Sequence, residues 1–202
     1  MGRRVVTRAL ASGHSVTAFS RHPDGAGQGE RLRKIAGDVR NSADVSHIVE
    51  GQDAVVVTLG AGLRKSDLLE RAIENIMISM RRFGVRRIVA LGPAGALHGI
   101  REASRDQSLP TKLVMQVFVL FVIKNLMEQQ RLMQRAIASS GLDYTIVNPP
   151  RLLEGAGRGR YRVRDHVLPP GGTQIAYDDG ADFIVKVLNE GSHIRESPTI
   201  AW

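Results

Sequence analysis

Residues 37–62 narrow the possible folds more than any other stretch. They run Gly37-Asp38-Val39, a short polar segment of helical character, then Gly51-Gln52-Asp53-Ala54-Val55-Val56-Val57-Thr58-Leu59-Gly60-Ala61-Gly62. An unbroken apolar run bounded by glycines is the pattern of a strand covered on both faces, which belongs to parallel sheets flanked by helices. Upstream, residues 16–20 read as another buried strand, and it ends directly in Arg21. A short strand at residues 34–36 leads into Gly37-Asp38, so three successive strands end in residues suited to holding a nucleotide.

Strand and helix signals alternate through the rest of the chain. Residues 66–83 carry Leu69, Ala72, Ile73, Ile76, Met77 and Met80 at helical spacing, and Gly84 stops the run. Residues 87–91 and 144–147 read as further strands, and residues 112–139 as a helix broken near Lys124-Asn125. The first part of that helix is apolar nearly all round, so burial in the core is expected, with a pocket lining or a subunit contact as alternatives. Residues 98–110 read as a loop, and residues 199–201 as an edge strand. Asp178 or Asp179 is expected to cap a helix running to Leu188 in preference to forming a carboxylate pair. The alternation predicts right-handed crossovers and one doubly wound parallel sheet over residues 1–202.

Composition removes several classes. With no cysteine there is neither a disulfide nor a thiolate site, and the six histidines show no metal-ligand spacing, so no metal is expected. The net charge is +8, but the arginines are mostly scattered over helix faces, so specific nucleic-acid binding is not expected. The longest apolar run, residues 113–123, is too short to cross a bilayer, and no apolar segment of a signal peptide follows Met1. A cytoplasmic protein without membrane contact, monomeric or homodimeric, is the expectation.

In a doubly wound sheet the ligand lies beyond the carboxyl ends of the strands. That rule selects Arg21, Asp38, Leu59, Gly60, Ala61, Gly62, Gly92, Pro93, Pro150 and Arg151. Arg21 stands where an acidic side chain would accept from the ribose of NAD, and an arginine there suits the 2′-phosphate of NADP. Asp38 and Val39 would bracket an adenine. The small residues at positions 60–62 let backbone approach a pyrophosphate or ribose closely. Arg151 and His166 fall on the expected substrate side.

The order of Gly2-Arg3-Arg4-Val5-Val6, Gly13-His14, Arg21, Gly37-Asp38-Val39, residues 51–55, Leu59-Gly60, Gly84-Val85, residues 140–147 and Pro149-Pro150 resembles the atypical short-chain dehydrogenase/reductases. More narrowly, it resembles their NAD(P)H-binding, NmrA-like group, which includes biliverdin reductase B (flavin reductase). The resemblance spans nearly the whole chain. It implies a Rossmann-like fold, NADPH as cofactor, and hydride transfer to a flavin, a quinone or a similar small acceptor. A protein that senses NADP without turnover, or an inactive truncated paralogue, is the alternative.

Two departures from the family pattern stand out. Family members open with a strand and a Gly-x-x-Gly-x-x-Gly turn, of which Gly2 corresponds to the last glycine. The chain lacks that first strand, expected between the strands at Val16 and Ala54, and a gene start placed too late is the favoured reading. Residues 1–202 are accordingly expected to hold a pyrophosphate weakly. At the other end Gly92-Pro93 replaces a Thr-Ser pair, Arg151 replaces a histidine, and no Tyr-x-x-x-Lys pair is present. No catalytic residue is assigned.

Overall fold

A computed structural model describes residues 1–60 and 66–202. Seven helices and nine strands alternate among these residues: α1 (Gly2–Ala11), β1 (Val16–Ser20), β2 (Leu32–Ala36), α2 (Ser42–Val49), β3 (Ala54–Val57), α3 (Leu68–Phe83), β4 (Arg87–Leu91), α4 (Ile100–Ala103), α5 (Leu109–Phe121), α6 (Lys124–Ala138), β5 (Asp143–Val147), β6 (Arg151–Leu153), β7 (Arg162–Asp165), β8 (Gln174–Ala176), α7 (Tyr177–Glu190) and β9 (Pro198–Ala201). The break expected near Lys124 separates α5 from α6. The segment read as a loop after His98 contains the short α4.

The strands pair as the apolar runs require. β1 lies parallel to β2, and β4 lies parallel between β3 and β5. Further along the chain, β6 and β8 are parallel, while β7 and β9 form an antiparallel pair. Bridges at Thr145–Glu196 and Asn148–Thr199 attach the β9 region beside β5. Helices cover both faces. One core joins β3, β4 and β5 to α2, α3 and α6 through Val45, Leu69, Ile73, Met80, Ile88, Met133 and Ile146. The other joins them to α1 and α7 through Val5, Ala9, Val89, Val147, Phe183 and Ile184. This is a Rossmann-like, doubly wound arrangement.

α3 shows how local sequence sets the fold. Leu69, Ala72, Ile73, Ile76 and Met80 recur on one buried face. Each large apolar side chain there contributes about 1.5–3 kcal/mol by leaving water. Gly84 ends the helix at φ 71°, a left-handed conformation that costs glycine little, and its N–H returns to the last turn.

The sheet is not continuous. β1 and β3 do not pair with each other. They face one another across a cavity of about 880 Å³, lined by Val16, Thr17, Ala18, Phe19, Ala54, Val56 and Thr58 and floored by Val5, Val6 and Ala9 of α1. No strand among the described residues occupies that position, as expected from the sequence.

Two expectations need correction. Neither Asp178 nor Asp179 caps α7, whose N-cap position is Ala176. Asp178 instead pairs with Arg4 of α1. Asp179 is buried and accepts from the backbone N–H groups of Arg158 and Gly159 (2.9 Å each) and from Trp202 Nε1 (2.7 Å). Nor is α5 core: none of its described side chains is fully buried.

Candidate functional site

β1 and β2 run parallel, as do β3, β4 and β5, and the residues that follow β1, β2 and β3 line a common cavity. Ser20 and Arg21 follow β1, Gly37 and Asp38 follow β2, and Thr58, Leu59 and Gly60 follow β3. A cavity of about 590 Å³ brings Arg21, Asp38, Val39, Leu59 and Gly60 together. Gly2 lines the larger cavity between β1 and β3, and both cavities share Ser20, Thr58 and Leu59. Ala61 and Gly62 lie outside the described residues.

Local geometry explains several identities at this mouth. Gly37 has no room for a side chain: a Cβ there would stand 2.5 Å from the Phe19 ring and 2.9 Å from an Asp44 carboxylate oxygen. That carboxylate also accepts from the Asp38 N–H at 3.0 Å. A Cβ on Gly2 would stand 3.1 Å from Thr58 Oγ1, so the amino end of α1 rests against the end of β3.

Asp38 is not a free carboxylate. Arg40 donates to it through Nε at 3.0 and 3.1 Å and through a second guanidinium nitrogen at 2.5 Å. That bidentate grip, joined by the Arg40 backbone N–H and the charge of Arg21, holds the Asp38 carboxyl at about 2, below its ordinary value. Arg40 is a residue that reading the strand ends missed. Its signal was present, two residues after Asp38, but the strand-end rule stops at the turn. Arg3 was missed for the same reason: it lines the larger cavity with His22 and Asp24, and its guanidinium lies against Gly25. Among the described residues, Arg21 and Arg40 line the smaller cavity and Arg3 and Arg87 the larger, and Arg40 is committed to Asp38.

Gly92, Pro93 and Pro150 line neither cavity; amides surround them instead. The Gly92 N–H donates to Val147 O (3.0 Å) and the Ala94 N–H to Pro149 O (3.2 Å), tying the Gly92-Pro93 turn to the end of β5. Gln134 of α6 is fully buried over Gly92, and a Cβ on that glycine would overlap its Nε2. Gln134 donates to Asn148 Oδ1 at 3.1 Å, and Asn148 donates in turn to Ile146 O and Ser197 O. A hydroxyl-bearing side chain at position 92 would need the space that Gln134 fills.

His166 and Arg151 sit elsewhere. His166 stacks on His98 with ring centroids 4.9 Å apart and faces Asp165 (3.1 Å) and Glu102 (3.7 Å). Arg151 is exposed and opens β6, paired with Gln174 of β8. Pro150 immediately precedes it, and no contact joins His166 to Arg151 among the described residues. Tyr161 is held as the neutral phenol: burial raises its pKa first, and its hydroxyl donates to Asp182 at 3.0 Å.

Comparisons with known proteins give the family and the fold. Residues 1–191 match the family described as NAD(P)H-binding. Among solved structures, a Burkholderia pseudomallei protein is 26% identical, with a TM-score of 0.79 over 100% of this chain and 94% of that one. A short-chain dehydrogenase/reductase of Veillonella parvula, solved in complex with NADP, is 17% identical with a TM-score of 0.79, covering 99% of this chain and 88% of that one. An anaerobilin reductase of Escherichia coli O157:H7 is 17% identical with a TM-score of 0.75, covering 100% and 92%. A chain with this fold, these strand ends and a family match over nearly its whole length belongs to the NAD(P)H-binding family of Rossmann-fold proteins.

Proposed function

We propose that the chain is an NADP-dependent reductase of the atypical short-chain type, passing a hydride to a flavin, a quinone or a similar small acceptor. The observation that carries this reading is the group of Arg21, Arg40 and Asp38 beyond the ends of β1 and β2, beside Leu59 and Gly60. Arg40 neutralises Asp38, which leaves the charge of Arg21 available to a phosphate. A guanidinium that no ion pair holds among the described residues favours a 2′-phosphate over a ribose hydroxyl, because charge-assisted bonds are about twice as strong as neutral ones.

The residues present fit such a cofactor. Arg21 would take the 2′-phosphate, Val39 and Asp38 would border the adenine, and Leu59 and Gly60 would border the ribose. Gly2 and Arg3, at the positive end of α1, would face the pyrophosphate. Bound NADPH supplies the hydride. Around Gly92, Pro93 and Pro150 the described residues offer the amides of Gln134 and Asn148 and no acid, so on this reading they would shape and dry the acceptor's place without moving a proton. A flavin or quinone suits such a site, because it accepts the hydride and takes its proton from solvent. The absence of cysteine accords with a cytoplasmic setting.

The amide lining also favours a second reading, an NADP-binding regulator without turnover. Loss of NADPH absorbance on adding FMN or a soluble quinone separates the two. Steady oxidation that depends on acceptor concentration supports the reductase. Saturable NADPH binding with no oxidation by any acceptor supports the regulator.

A further inference from the structure

We propose that α5 seats the protein on an anionic lipid surface, lying in the interface plane without crossing it. Leu109, Leu113, Val114, Val117, Phe118 and Phe121 recur at helical spacing and are all exposed; Leu109 and Phe121 are 80% and 82% accessible. An apolar stripe of this size turned to solvent marks an interaction surface. α5 packs against α4 and α6, and the chain turns by 90° into α6, whose Met127, Met133 and Ile137 face the core. The stripe on α5 therefore remains uncovered.

Charge selects the occupant. No carboxylate stands between Gln107 and Met127, while Lys112 lies within the span of the stripe and Lys124 follows it. The nearest carboxylates are already engaged: Glu102 by Arg105, Asp106 by Arg164 and Glu128 by Arg131. The whole chain carries +8. A second copy placed on this face would set lysine against lysine and one cationic body against another. An anionic bilayer satisfies both features, taking the apolar face into the acyl boundary while lysines reach the headgroups.

Length fixes the mode. Thirteen residues make a helix of about 20 Å, short of the roughly 30 Å hydrocarbon core. No single helix among the described residues is long and apolar enough to cross a membrane. The expectation of no membrane contact rested on spanning length, which lying in an interface does not require.

The test is co-sedimentation of the full chain with phosphatidylcholine vesicles and with equimolar phosphatidylcholine–phosphatidylglycerol vesicles, at low and high salt. Binding is expected to be about tenfold tighter to the anionic vesicles and to weaken with salt. Phe118→Ser with Phe121→Ser should lower binding to the anionic vesicles about tenfold while leaving the melting temperature unchanged. Lys112→Glu with Lys124→Glu should remove the preference for anionic lipid. The proposal is overturned if the chain stays in the supernatant with both vesicle types, or if the phenylalanine variant binds as the parent does. A dimer in sedimentation velocity that the phenylalanine variant dissociates would also overturn it, by identifying a second copy as the occupant.

Discussion

Gly92 is set by what packs on it. Gln134 fills the space a side chain would need, and its amide is already committed to Asn148. Gly92→Ala is therefore expected to destabilise the protein by about 1–3 kcal/mol, the usual range for overpacking. Gln134→Ala alone should also destabilise, by leaving a cavity and an Asn148 Oδ1 without its donor. The double variant should be less destabilised than the sum, because shortening Gln134 makes room at position 92. Chemical denaturation of the four proteins checks this, and strict additivity would mean that the two sites do not touch. His98 gives a pH dependence. Burial first, and then repulsion from His166, lower its pKa from the ordinary histidine value, while Ser197 bonds the ring at 2.9 Å. The folded state thus disfavours the charged ring, and the unfolded chain binds more protons below neutrality. The contribution is intact above about pH 6.5 and is lost as pH falls below that value. Melting temperatures from pH 8 to pH 5 should fall less steeply in His98→Gln than in the parent; equal slopes would remove His98 as the cause.

At the scale of elements, the gap between β1 and β3 governs local stability. Among the described residues, β4 has a partner on each side, whereas β1 pairs only with β2 and β3 only with β4. Amide exchange should therefore be slowest in β4, with β1 and β3 opening more readily through the edge each turns toward the cavity. Protection in β1 equal to that in β4 would show that something closes the gap in solution. Much of this architecture was legible in the sequence. The apolar run ending in Val57, the periodicity of 66–83 and the alternation around them identify a parallel sheet with helices on both faces. Helix ends and helix faces were less legible, for physical reasons. Asp178 and Asp179 have the composition of a cap, but Arg4, Arg158, Gly159 and Trp202 are far from them in sequence and claim them in space. α5 has the composition of a core helix, and exposure depends on whether another element lies over it.

For the whole molecule, the strand ends that line the cavity were more legible than the surroundings of Gly92. Arg21, Asp38 and Gly60 are found by counting to the ends of strands. Arg40 lies beyond that count, and its grip on Asp38 needs three-dimensional placement to be seen. Near Gly92, packing against a helix more than 30 residues later in the chain decides the chemistry, so no local motif announces it. On the proposed reading, this crevice prefers NADP because Arg21 meets the 2′-phosphate. Calorimetric titration of the parent and of Arg21→Asp with NADPH and NADH tests it as a ratio, whatever the absolute affinity. The parent should bind NADPH about tenfold or more tightly than NADH, and Arg21→Asp should reverse the order. Equal affinity for the two cofactors in the parent, or a ratio that Arg21→Asp leaves unchanged, would contradict the account.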